Sequence, residues 1–176
     1  MTVTSTLPIM TDNVTFTFGG KSETVQLIVI PDDRTGDLGD YVRLEDESKE
    51  PLALRDGDVY LSKSSQLVLG IQPGDTAHVQ DSSLNVAKVK VSDISLNYLG
   101  NTLYMTQSTY ERAFGRSVRL NGIFALLKGS SADQIAFSKK LKSDGWLSIS
   151  STAEHWENYE AVSYTHLRAH ETSAHL

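Results

Sequence analysis

Cysteine is absent from the 176-residue sequence. That excludes disulfides, thiolate metal sites and cysteine nucleophiles, and it leaves the compartment open. No apolar run approaches the roughly twenty residues of a membrane helix. The longest are Leu27–Ile30 and Ile123–Leu127. Nowhere are Lys and Arg interleaved with aromatics, and 22 Asp and Glu outnumber 16 Lys and Arg to give a net charge of -6. A mildly acidic chain has no electrostatic reason to seek nucleic acid or an anionic membrane. The opening MTVTSTLPIM carries no basic region and no continuous apolar stretch, so it does not read as a signal peptide. Internal repeats, low-complexity segments and a GxSxG elbow are also missing. What remains is ordinary globular composition, 39% hydrophobic and 22% charged. It suits one domain with a sizeable core.

The first clear pattern is a hairpin. Asn13–Phe18 alternates, with Val14, Phe16 and Phe18 on one face. Gly19-Gly20-Lys21 turns the chain, and Thr24–Ile30 returns with Val25, Leu27 and Val29 alternating. Pro31 ends that strand, because it cannot donate to a ladder. Asp32 to Asp40 reads as a polar loop, and Tyr41–Leu44 as a short strand or helix. Val59–Leu61 predicts a strand, followed by a helix from Ser62 as N-cap to Leu69, with Gly70 beyond its end. Pro73-Gly74-Asp75 predicts a turn with positive φ at glycine. A second hairpin is expected from Thr76–Gln80 and Val86–Val91 around the polar Asp81–Asn85. Leu103–Met105 reads as a strand. Thr106 then caps a helix carrying Tyr110, Ala113 and Phe114, which Gly115 ends.

Gly122–Lys128 is an apolar run expected to be a buried strand. Ser131 and Gln134 predict a capping box for a helix that pairs Phe137 with Leu141 and stops near Gly145. Trp146–Ser150 reads as the next strand. The strand–helix–strand order gives a crossover long enough for parallel pairing. Ser151 and Glu154 predict a further capped helix carrying Trp156 and Tyr159.

Several constellations invite a chemical reading, and each has a plainer one. Gly19-Gly20-Lys21-Ser22 resembles the end of a phosphate-binding loop. Thr15 stands where that loop needs glycine, and a strand follows instead of a helix. Asp32, Asp33, Asp37 and Asp40 could be calcium ligands. However, Gly36 falls one position early for an EF-hand, and Arg43 replaces the bidentate glutamate. Asp56 and Asp58 flank Gly57, and turn chemistry accounts for them without an acid–base role. His78 and His155 have no nucleophile partner in sequence. No catalytic, cofactor-binding or metal-binding residue is assigned.

Three of the five histidines, His166, His170 and His175, lie in the last fifteen residues, 162–176. His166 and His170 would share one helical face beside Glu171, but the order is not HExxH. Val162 to Thr172, VSYTHLRAHET, is similar to the translation of a transposase adapter used in DNA library preparation. Residues 162–176 are therefore read as a non-native tail, set aside from fold reasoning. The natural frame is expected to continue past Ala161.

One ordered set of motifs carries a family resemblance. Arg55-Asp56-Gly57-Asp58-Val59-Tyr60-Leu61-Ser62 leads to Leu69-Gly70-Ile71-Gln72-Pro73-Gly74-Asp75-Thr76. Asn97-Tyr98-Leu99-Gly100, Leu103-Tyr104-Met105 and Tyr110 follow. This order resembles the extracytoplasmic domain of FtsX-like (MacB-like) ABC transporter permeases, over about residues 13–161. The resemblance implies an α+β fold in which a porter-like α/β layer (1–54 and 103–161, incomplete at its start) is interrupted by a small β-rich, barrel-like subdomain (55–102). It also implies bacterial membrane attachment, with this domain on the extracytoplasmic side. ATP hydrolysis would then belong to a cytoplasmic ATPase subunit, reached through membrane helices outside this stretch. The domain itself would engage a lipid, peptide or lipoprotein partner and would not be an enzyme.

Two other readings compete. One is a free-standing secreted or cell-wall-associated binding module. The other is a metal-dependent hydrolase using the Asp32–Asp40 loop.

Overall fold

A computed structural model describes residues 2–96 and 100–144. The expected strand at Trp146–Ser150, the helix opening at Ser151, His155, the motif residues Asn97–Leu99 and the tail 162–176 lie outside the described residues. Residues 6–125 form one compact unit, and 126–144 with 2–5 belong to a second.

The sheet begins with a hairpin of β1 (Thr2–Phe18) and β2 (Lys21–Ile30). Phe18 faces Lys21, so Gly19 and Gly20 alone make the turn. Their φ values of 57° and 77° are the left-handed conformations that a twist-matched two-residue hairpin needs. β3 (Val59–Ser62), β4 (Thr76–Gln80), β5 (Val86–Lys90), β6 (Asp93–Ser95) and β7 (Thr102–Thr106) join the same sheet in the order β5-β4-β1-β2-β7-β3-β6. β8 (Gly122–Lys128) pairs with β1 off that path. The β2–β7 and β3–β6 pairs are parallel, and the other registered pairs are antiparallel. The mixed sheet and its helices give an α+β fold.

Alternation divides the side chains between two faces. On the first, Val14, Phe16, Val25, Leu27, Leu61 and Met105 pack with Leu69, Ile71 and Tyr110. Those last three come from α2 (Lys63–Leu69), the segment after it, and α3 (Gln107–Phe114). Full burial of one such side chain contributes about 1.5–3 kcal/mol. On the second face Leu7, Ile9, Ile28, Ile30, Tyr60 and Tyr104 are covered by Leu38, Leu44 and Leu54.

The local punctuation follows the sequence. The Asp75 N–H donates to the Gln72 carbonyl at 3.0 Å across Pro73-Gly74, with Gly74 at φ 96°. That is a type II turn. Thr106 caps α3 by accepting from the Thr109 N–H, and Gly115 closes it at φ 65°. Ser62 occupies the N-cap position of α2, but its hydroxyl serves elsewhere. It accepts from the Thr102 N–H and donates to Ser65.

Three expectations need correction. Asp32–Asp37 is a 3-10 helix running into α1 (Leu38–Tyr41), where a polar loop was expected. Pro31 pre-sets the entry, and burial of Leu38 anchors the turn. The capping box of α4 (Ser131–Ser143) uses Ser130 and Asp133, one residue earlier than Ser131 and Gln134. An aspartate at the third helical position reaches back as well as Gln would. β8 is a strand, but Ile123 and Leu126 remain exposed. A short apolar run does not distinguish a central strand from one beside the main path.

Candidate functional site

The acidic residues singled out by sequence do not converge. Asp32 reaches α3, where its carboxylate accepts from the Ser108 N–H at 3.0 Å and from the Ser108 hydroxyl. Asp37 pairs with Arg34. Asp56 pairs with Arg112, whose Nη2 lies 2.5 Å away, and accepts from Thr109. The Arg112 hydrogen bond holds the Asp56 carboxyl below its usual range. Asp58 accepts from the Arg55 N–H and shares the single Tyr60 hydroxyl hydrogen with the Ala53 carbonyl, which lies 2.6 Å from that hydroxyl. Burial, reinforced by Asp58, pushes the Tyr60 phenol up. Asp32 and Asp58 thus fasten a helix start and a turn, while Asp37 and Asp56 form surface ion pairs. Among the described residues no three His, Asp or Glu side chains group as metal ligands. Gly19-Gly20-Lys21-Ser22 is the hairpin turn, and the Lys21 ammonium donates to the Val68 carbonyl.

Sequence reading missed the most heavily bonded carboxylate among the described residues. Asp81 opens the β4–β5 loop with its side chain only 3% exposed, and it meets Arg116 at 2.9 Å. It also accepts from the Ser83 N–H, the Asn85 N–H and the Asn85 amide. Burial alone would push its carboxyl up. The bonds from Asn85 and Ser83 and the Arg116 charge outweigh that and hold it below the usual carboxylate range. Asp-Ser-Ser-x-Asn is a recognisable side-chain-to-backbone turn signal. Its arginine partner lies 35 residues away and has no local signature. Next in the loop, the Ser82 N–H and hydroxyl both donate to Asp12.

This bonding surrounds an exposed tip. Leu84 takes φ 67°, a left-handed conformation rare for leucine, and is 75% exposed. Val86, the first residue of β5, is 59% exposed. The registers place Lys88, His78, Thr17 and Ser22 in one cross-strand row, and Val86, Gln80, Thr15 and Thr24 in the next. That half of the second face holds no carboxylate and lies outside the cover formed by Leu38, Leu44 and Leu54. A second exposed apolar pair, Leu67 and Val68, lies on α2.

No protein-family model and no curated protein matches the sequence. Solved structures do. The periplasmic region of MacB from Actinobacillus actinomycetemcomitans superposes with a TM-score of 0.47 at 19% identity, covering 80% of this chain and 67% of that one. The extracellular domain of the noncanonical ABC-type transporter YknZ from Gram-positive bacteria gives 0.51 at 14% identity, covering 81% and 76%. At such identity the likeness is one of fold, and this chain has the α+β fold of the YknZ extracellular domain.

Proposed function

We propose that the chain is the extracytoplasmic domain of an ABC transporter permease subunit. It serves as a non-catalytic element that transmits ATP-driven motion and engages a lipid, peptide or lipoprotein partner. The observation that carries this reading is the fold likeness to the YknZ extracellular domain over 81% of the chain. The ordered motifs between Arg55 and Tyr110 are in keeping with it. So is the use of Asp32, Asp58 and Asp81 as fasteners: a part that passes force between partners needs its loops tied to its sheet.

The test is purification of the full-length gene product from membranes. Copurification with a nucleotide-hydrolysing subunit is the expected result. A protein recovered without membrane and without such a subunit would favour the free-standing binding module.

A further inference from the structure

The tip of the β4–β5 hairpin holds a leucine in water at a conformational cost. A side chain with a Cβ is strained in the left-handed region, where that carbon crowds the following carbonyl oxygen. Leu84 buries too little to recover that, being 75% exposed at φ 67°. Glycine or asparagine would relieve the strain. Its surroundings nevertheless fix the conformation: Asp81 binds Ser83, Asn85 and Arg116, and Asp12 binds Ser82 twice. Strain of this kind persists where neighbours over-determine it, and it clusters at ligand-contacting sites. Val86 adds a second exposed apolar side chain beside the tip. Lys88 and Lys90 follow along β5 on the same face, with His78 across from Lys88. The β4 and β5 residues of this face include no carboxylate, in a chain of net charge -6.

We propose that the tip and the adjoining face of β4 and β5 form a docking surface for a protein partner. That partner offers an apolar pocket to Leu84 and rims it with Asp and Glu facing Lys88 and Lys90. The charge pattern selects an acidic partner. A protein fits better than an anionic bilayer, because the negative chain as a whole is repelled by such a surface. The Thr15, Thr24 and Gln80 side chains beside Val86 also supply directional hydrogen-bonding groups that a fluid lipid interface does not match. Lysines on an edge strand also discourage strand-to-strand association. That accounts for Lys88 and Lys90 but not for the backbone of Leu84. A leucine pre-set in its bound conformation loses little freedom on docking.

The inference deepens the permease reading and rests on it for where the partner is met. The test places the photocrosslinker p-benzoylphenylalanine at position 84 of the full-length protein in its own cells, with position 67 as the exposed control. The expected result is one protein adduct specific to position 84, whose crosslinked segment carries carboxylates around apolar residues. Binding of that protein, once purified, should weaken at least tenfold with Leu84→Asn. It should weaken likewise with Lys88→Glu plus Lys90→Glu, the charge effect fading at high salt. No adduct above the control, an adduct to lipid, or a partner indifferent to these substitutions would overturn the proposal. Copurification of the ATPase should persist in every variant. Its failure in the unsubstituted protein would count against the permease reading alone.

Discussion

Asp32 accepts hydrogen bonds from both the backbone N–H and the hydroxyl of Ser108, 76 residues further along the chain. The contact fastens the 3-10 turn after β2 to the first turn of α3, and it does so for a helix whose Thr106 cap is already satisfied. Asp32→Ala should therefore destabilise the domain by about 1 kcal/mol, the usual magnitude for losing a carboxylate at a helix start. Chemical denaturation of Asp32→Ala, Ser108→Ala and the double variant should show that the two losses do not add.

The Asp81 carboxyl gives a pH dependence of defined sign. Its folded pKa is depressed, so its contribution is present above the unfolded value of about 3.9 and is lost as pH falls through the folded value. Stability should decline on acidification from about pH 4–5 downward. Asp81→Asn should cost about 2–3 kcal/mol at neutral pH, in line with hydrogen bonds to a charged group, and should flatten the acid limb. Urea midpoints measured from pH 3 to 7 would show both effects.

Arg112 and Asp56 supply the contrast. Both side chains are more than half exposed, at 58% and 62%. Arg112→Ala should leave the urea midpoint within measurement scatter, with no dependence on added salt, since exposed pairs are screened. A clear loss of stability would mean that the pair does more than decorate the surface.

Leu84 should behave unlike other large apolar residues. Leu84→Asn should leave the domain as stable or raise its stability by about 0.5–1 kcal/mol, because asparagine tolerates the left-handed conformation. Thermal melting of the variant decides it. A large destabilisation would show that Leu84 is held by packing and not by its loop.

The parts of the fold legible in the sequence are those where local chemistry leaves one choice. Gly19-Gly20 between alternating strands, Gly74 after Pro73, and Thr106 with Gly115 around an apolar stripe all read correctly for this reason. The first half of β1 was hidden by Pro8, which ordinarily demotes a strand. The registered pairing with β2 begins only at Met10, so the N–H that Pro8 lacks is missing from no β1–β2 bond. The helical turns of Asp32–Tyr41 were obscured by aspartates and glycines, with only Leu38 buried to anchor them. Among the candidate site residues, Asp56 and Asp58 could be recognised as turn residues from sequence. Asp81 with Arg116, and Asp32 with Ser108, depend on pairings that only the sheet order brings about.

The proposed placement of the domain outside a bacterial membrane is tested most directly by labelling. Leu67 is 71% exposed and distant in role from the proposed docking tip, and this sequence has no cysteine of its own. Leu67→Cys in a full-length protein with any cysteine outside this sequence replaced by serine should react with a membrane-impermeant maleimide on intact cells, and the labelled protein should sediment with membranes. Labelling only after lysis, or recovery of the labelled protein free of membrane, would contradict the account.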